Sequence, residues 1–386
     1  MKVLYLSSPF YFDMDLSLIQ KLKEKTELLF LIDVPSYASK YTAFDISVKK
    51  NAGIYSASDY KELNQYSEFI DLKRTYIINR TSKKTYTLSN FLLQFQINEF
   101  LKKWNIDVIH VNGLLKPTFL WFLLVNKRSR ILTVHDPFPH SGENSRKVQL
   151  IRKLNLRFFK NFILLNDTQK LEFANKEKIP LENIFISRLG AYTYLSLFNA
   201  KKTSSEEKKE NSLLFFGRVS PYKGIEELCK AILIVKKTIP DVELIIAGSG
   251  RYWFDIEPYK AYKNFKFINR FITTEELVKL IHQTQLVVCP YKDATQSGVI
   301  MTAFGLNKPV IATNVGGLKE MVKHKYTGSL LEPNNVDALA KEIIHLLENP
   351  LLVKEMENNI KLENEKGENS WEIITNNLIN HYKTIS

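Results

Sequence analysis

The feature that most constrains this chain is a repeated alternation of short β-branched or aromatic runs with stretches of helical spacing. In the first half the runs lie at Val3 to Leu6, Leu28 to Ile32, Val108 to Val111, Ile131 to Val134, Phe162 to Leu165 and Ile184 to Ile186. In the second they lie at Leu213 to Phe216, Leu244 to Ala247, Phe265 to Ile268, Leu286 to Cys289 and Val310 to Thr313. Such alternation marks a parallel sheet with crossover helices. One crossover can be read directly, because Ile225, Leu228, Cys229, Ile232 and Val235 fall on one face of a helix. The expected fold class is α/β: two tandem Rossmann-like doubly wound domains, with a ligand cleft where the carboxyl ends of their strands face one another.

A length of 386 residues exceeds one ordinary core and fits two. The segment 201–211, K-K-T-S-S-E-E-K-K-E-N, has no apolar residue and is expected to link a first domain, 1–200, to a second, 212–369. The composition, 45% hydrophobic with 14 Gly and 13 Pro, is globular. Cys229 and Cys289 lie in apolar runs without metal-ligand spacing, so they are expected as buried free thiols in a reducing compartment. The N-terminal apolar run is too short for a secretory leader, and no stretch approaches the ~20 apolar residues of a membrane span. A soluble or peripheral cytoplasmic protein is expected. The net charge of +13 is uneven, since residues 1–200 carry 29 Lys and Arg against 18 Asp and Glu. A basic surface of this kind suits nucleic acid, anionic lipid or a phosphorylated substrate.

Two stretches carry chemistry. In F-F-G-R-V-S-P-Y-K-G-I-E-E-L a strand leads into a loop with Gly217, Arg218, Lys223 and Gly224, and a helix follows. Arg binds phosphate bidentately and Lys adds a compact charge, so the pair can bracket a diphosphate; it can equally be a solvated loop. In C-P-Y-K-D-A-T-Q-S-G-V-I-M-T-A-F-G-L-N-K-P-V-I-A-T a strand ends at Pro290 and a helix is expected to begin near Ser297, Gly298 and Val299. Free N–H groups at a helix N-terminus make an anion site. The alternative reading is that Gln296 and Ser297 simply cap the helix.

The order of these motifs distinguishes the alternatives. The Arg/Lys loop is followed by P-D-V-E-L-I-I-A-G-S-G, F-I-N-R-F-I-T-T-E-E-L, the Gln-Ser-Gly loop and N-K-P-V-I-A-T-N-V-G-G-L-K-E. This series resembles the donor domain of the retaining glycosyltransferases of family four, across residues 212 to 350, and more loosely the whole chain through L-E-P-N-N-V-D-A-L-A-K-E-I and Trp371. The resemblance implies a GT-B fold, a C-terminal helix at about 370–386 returning to the first domain, a UDP- or GDP-sugar donor, and neither cofactor nor metal. It implies that Arg218 and Lys223 hold the diphosphate in place of a metal, with the backbone at Ser297, Gly298 and Val299. Backbone near Arg270, Phe271 and Ile272 would meet the base. The family pattern has two Glu eight positions apart around this loop, where this chain has Ala294 and Thr302. Asp293 can substitute for the first, and Thr302 offers a hydroxyl.

In the first half, I-L-T-V-H-D-P-F-P-H places His135 and Asp136 just past a strand end, where ligands gather. The resemblance implies that His135 contacts the donor sugar, and Asp136 is expected to orient it. Ser7, Ser8, Pro9 and Phe10 after the first strand, with Asn112 and Gly113 after another, are acceptor-side candidates. The segment R-K-V-Q-L-I-R-K-L-N-L-R-F-F-K, Arg146 to Lys160, holds six basic residues and no acidic one. It is either a core helix with solvated cations or a basic amphipathic helix for an anionic bilayer, and the charge of the first half favours the bilayer and a polyprenol-linked acceptor. The resulting expectation is a retaining, metal-independent hexosyltransferase acting in surface polysaccharide assembly on a glycan or lipid-linked glycan. The missing Glu pair also admits a noncatalytic GT-B partner. No nucleic-acid-binding motif accompanies the basic charge, which argues against a nucleic-acid partner.

Overall fold

β1 (Lys2–Ser7) is buried, and its period of two sends alternate side chains to different layers. Leu4 and Leu6 join a core with Leu93, Ile97 and Leu101 of the helix Leu88–Lys102. Tyr5 faces the other layer, its ring against His110 and its hydroxyl donating to Asp15 of the helix Phe12–Lys25. The computed structural model describes residues 1–386 except 42, 83–86, 117–127, 139–145 and 202–208. In it β1 belongs to an eight-stranded sheet with β2 (Glu27–Val34), β5 (Gly53–Ser56), β6 (Thr75–Asn79), β7 (Val108–Asn112), β8 (Ser129–Val134), β9 (Asn161–Leu164) and β10 (Ile184–Ile186). A separate hairpin is made by β3 (Lys40–Tyr41) and β4 (Phe44–Asp45). The sheet order is β10-β9-β8-β7-β1-β2-β6-β5, all parallel except β5 against β6.

A second sheet contains β11 (Ser212–Phe216), β12 (Glu243–Ala247), β13 (Phe265–Ile268), β14 (Leu286–Cys289), β15 (Val310–Thr313) and β16 (Gly328–Leu331). Its order is β13-β12-β11-β14-β15-β16, wholly parallel. The helix Ile225–Val235 buries the expected face, Ile225, Leu228, Cys229, Ile232 and Val235, and packs beside the helix Val336–Glu348. Cys229 and Cys289 are buried and free, and burial pushes each thiol up to about 12.

Two compact Rossmann-like units result, Met1–Arg188 with Trp371–Ser386, and Leu189–Ser370. The helix Trp371–Ile385 lies beside Phe12–Lys25, where Lys25 pairs with Glu372 at 2.5 Å. The passage between units falls at Arg188 and Leu189, a correction to the expected boundary at 200 and linker at 201–211. Leu189, Tyr192, Tyr194, Leu195 and Phe198 are buried in the second unit, and Tyr192 donates its N–H to Met301 O at 3.0 Å. Lack of apolar residues marks a surface segment, whereas buried apolar anchors decide which core a segment joins. Residues 202–208 of that linker lie outside the described residues.

Candidate functional site

In the second unit the expected donor residues follow the carboxyl ends of β11, β13 and β14, where a doubly wound sheet receives ligands. The loops after β11 and β14 are fastened together. Lys292 donates its N–H to Tyr222 O (2.7 Å), and its Nζ pairs with Glu227 (2.6 Å). Gly224, at φ +67°, lies so near Pro290 that an added Cβ would stand 1.9 Å from that carbonyl oxygen, so no larger residue fits.

On this base Lys223 is held with Nζ 3.6 Å from the centroid of the Tyr291 ring. Tyr291 is fully buried and its hydroxyl lies 3.4 Å from Ser297 Oγ, which donates to it. Ser297 in turn caps the helix Gly298–Gly305, accepting from the Ile300 N–H at 3.4 Å. Capping and anion binding are therefore compatible here: the cap takes one amide, while those of Gly298 and Val299 lie in the first turn, where an α-helix offers no carbonyl. Gly217 faces the same turn, since a Cβ on it would meet Val299 Cγ2 at 3.3 Å. Arg218 is exposed, on backbone fixed by Gly217 N–H to Ala247 O and Val219 N–H to Ser249 O, both 3.0 Å. Gly217, Lys223, Ser297, Gly298 and Val299 are thus brought together, with Arg218 on the same loop.

Arg270 engages Glu276 through two contacts of 2.6 Å, so its guanidinium is already partnered, and its backbone N–H donates to Ile268 O at 3.2 Å. Phe271 beside it is 58% exposed and Ile272 is half-buried. Asn269 fastens this loop to the G-S-G turn, accepting from Gly250 N–H (3.1 Å) and donating to Gly250 O (3.0 Å). Ala294 is buried, its carbonyl accepting from Gly317 N–H at 3.3 Å, and Thr302 is buried in the following helix. Asp293 is half-buried, and Gln296 Oε1 is a buried acceptor with no partner among the described residues.

In the first unit His135 follows β8 and is buried. Its Nε2 lies 2.7 Å from Asn112 Oδ1, Asn112 Nδ2 donates to Asp15 Oδ1 (2.8 Å), and that oxygen also accepts from the Tyr5 hydroxyl (2.9 Å). Tyr11 stacks on the imidazole with centroids 3.9 Å apart and planes 9° from parallel. Gly113, at φ +86°, makes room for it, since a Cβ there would stand 2.3 Å from the Tyr11 ring. Burial lowers the His135 pKa to about 4 against the opposing charge of Asp136, and burial raises Asp15 to about 7.

The role expected of Asp136 is corrected by these contacts. Its side chain is exposed, its carbonyl accepts from Arg152 (2.8 Å), and the ring's hydrogen bond goes to Asn112. Successive side chains at a strand end point to opposite sides, so an inward His135 leaves Asp136 outward. Ser8 and Pro9 begin the turn Pro9–Tyr11 that carries the stacking ring, and Phe10 is exposed. The basic segment forms the helix Arg146–Phe158, in which Leu154, Leu156 and Phe158 pack on the core while Val148 and Leu150 are exposed. Leu88, Phe91, Leu92 and Phe95 of the helix Leu88–Lys102 are exposed too, at the spacing of one helix face.

Sequence reasoning missed Tyr291, Tyr11, Asn269 and Asp15. Asp15 did leave a signal, a carboxylate on the same helix face as Phe12, Leu16 and Ile19. Among the described residues no group of three His, Cys, Asp or Glu is placed to hold a metal ion, and no helix is long and apolar enough to cross a membrane.

Residues 198–363 match the family described as glycosyl transferases group 1. The chain is 25% identical over 348 residues to an uncharacterized glycosyltransferase of Methanocaldococcus jannaschii, covering 89% of this chain and 88% of that one. It is 26% identical over 310 residues to an uncharacterized glycosyltransferase of Haemophilus influenzae, covering 79% and 84%. The solved structure of Anabaena HepE in complex with UDP-glucose is similar in fold, with a TM-score of 0.66 at 17% identity over 100% of each chain.

Proposed function

We propose that this chain, whose residues 198–363 match the family described as glycosyl transferases group 1 and whose fold is the two-domain GT-B type, moves a sugar from a UDP- or GDP-sugar to a glycan or lipid-linked glycan of a surface polysaccharide, with retention and without a metal. The observation that carries this is the Lys223, Tyr291 and Ser297 cluster, which sets a cation beside unpaired helix amides at the end of a parallel sheet. Lys223, Arg218 and the amides of Gly298 and Val299 take the diphosphate and stabilise its charge as it leaves. Phe271 and the backbone of Arg270 and Ile272 receive the base. Asp293, Gln296 and Thr302 meet hydroxyls of the sugar or ribose. His135 positions the sugar, and the loops at Ser8, Pro9, Phe10 and Gly113 take the acceptor, whereas Asn112, expected beside them, is buried with its amide committed to His135 and Asp15. The acceptor hydroxyl attacks the anomeric carbon on the face from which the diphosphate departs, the bond to the diphosphate breaks, and a phosphate oxygen receives the proton.

The test is incubation of the folded protein with a panel of UDP- and GDP-sugars. One of them is expected to bind and to be hydrolysed slowly without acceptor; neither binding nor hydrolysis by any would overturn the proposal. Ala294 and Thr302, in place of two carboxylates, favour one other reading, a noncatalytic partner of the same fold. Lys223→Ala separates the two, since an enzyme loses turnover whereas a scaffold keeps its partner. We further propose that the first unit rests on the inner face of the cell membrane through Val148, Leu150 and the basic residues around them.

A further inference from the structure

The buried polar chain at the ends of β1, β7 and β8 determines where one proton sits. Asp15 Oδ1 accepts from both the Tyr5 hydroxyl and Asn112 Nδ2, and it can do so whether or not the carboxyl is ionised. An amide that turns its NH2 towards Asp15 turns its carbonyl towards His135, 2.7 Å from Nε2. A carbonyl oxygen only accepts, so Nε2 carries the hydrogen, and in a neutral imidazole Nδ1 then carries a lone pair. Nδ1 has no hydrogen-bond partner among the described residues. A half-turn of the ring would set a carbon against Asn112 Oδ1, and the parallel Tyr11 ring at 3.9 Å limits tilting.

We propose that Asp15 and Asn112 are positioning residues that lock His135 as its Nε2–H tautomer and so present Nδ1 as the acceptor for a hydroxyl of the transferred sugar. The sugar hydroxyl rests on the function proposed above, whereas the lock rests on the geometry of the first unit alone. His135 on this view reads a hydroxyl by accepting its proton, and a misplaced ring impairs turnover more than donor binding.

The test is long-range 1H–15N spectroscopy of the full chain labelled with 15N-histidine at pH 7.5, with His135 assigned by its loss in His135→Gln. Wild type is expected to show a protonated Nε2 and a bare Nδ1. Asp15→Ala frees the Asn112 amide to turn, which populates the Nδ1–H form and moves both shifts towards an average. Asp15→Asn keeps a carbonyl at the Oδ1 position and restores the wild-type signature. Should Asp15→Ala fail to fold, Asn112→Leu removes the acceptor directly and is expected to shift His135 likewise. With the nucleotide sugar hydrolysed fastest, Asp15→Ala is expected to lower kcat about tenfold or more with little change in KM, and Asp15→Asn to recover most of it. A wild-type His135 protonated on Nδ1, or wild-type shifts in both Asp15→Ala and Asn112→Leu, overturns the lock. If no nucleotide sugar is bound or hydrolysed while the spectra behave as stated, the lock is upheld and the function proposal falls.

Discussion

At the scale of single residues, the buried groups have opposite pH signatures. Asp15 is raised to about 7 by burial, so between the unfolded carboxyl pKa and that value the folded protein holds more protons than the unfolded chain. Its stabilising contribution is therefore present at acid pH and is lost as pH rises towards 7, at up to about 1.4 kcal/mol per pH unit. Asn does not titrate, so the melting temperature of Asp15→Asn relative to wild type is expected to climb between pH 5 and pH 8; a flat difference would contradict the burial of the carboxyl. His135 has the reverse sign, since a pKa lowered to about 4 withdraws stability as pH falls below about 6.5. In the second unit, Tyr291→Leu removes the surface under Lys223 and the partner of Ser297 together, and is expected to weaken nucleotide binding about tenfold and, because Tyr291 is fully buried, to lower the melting temperature as well. Lys223, Ser297 and His135 were legible in the sequence because their chemistry is carried by residue type and place in an ordered series. Tyr291, Tyr11 and Asn112 as a partner of His135 were not, because they act through residues distant in sequence and pattern does not report such contacts.

Among the elements, several strands were read well: β10, β13, β14 and β15 begin and end as expected, and the helix Ile225–Val235 buries the expected face. The strands β5, β6 and β16 were missed. β5 is a half-buried four-residue edge, β6 mixes polar Thr75 and Asn79 into its run, and β16 starts on Gly328 and Ser329, so pairing more than composition makes them strands. The turn at Gly224 shows how an element's end serves the site. Gly224→Ala forces a Cβ towards Pro290 O in a left-handed conformation, so it is expected to cost more than about 1 kcal/mol and to separate the loops carrying Lys223 and Ser297. Nucleotide binding should fall more than in Asp15→Asn, whose change lies in the other unit. For the helix Arg146–Phe158, the sequence left core and bilayer open; the structure packs Leu154, Leu156 and Phe158 on the core and leaves Val148 and Leu150 exposed, and the bilayer contact is our proposal. Val148→Glu with Leu150→Glu is expected to abolish flotation with vesicles rich in anionic lipid while leaving the melting temperature within about 1 °C; flotation that persists would rule out this contact.

At the scale of the molecule, the division into two Rossmann-like units was legible because each repeats the same alternation, but the point of passage was not. The apolar-free segment 201–211 drew the boundary too late, since the second core already claims Leu189 to Phe198 through buried apolar side chains. The return of Trp371–Ser386 to the first unit means that truncation before Trp371 uncovers Tyr5 and His110, next to the chain that holds His135. The central claim is that the second unit holds the diphosphate of a nucleotide through Lys223 and the amides after Ser297. Its most direct test is the melting temperature of wild type and Lys223→Ala with UDP, GDP and ADP, since a ligand bound to the folded state stabilises it by mass action. One nucleoside diphosphate should raise the wild-type melting temperature, and Lys223→Ala should need about tenfold or more of it for the same rise. The claim is contradicted if none of them stabilises the wild type, or if Lys223→Ala is stabilised equally at equal concentration.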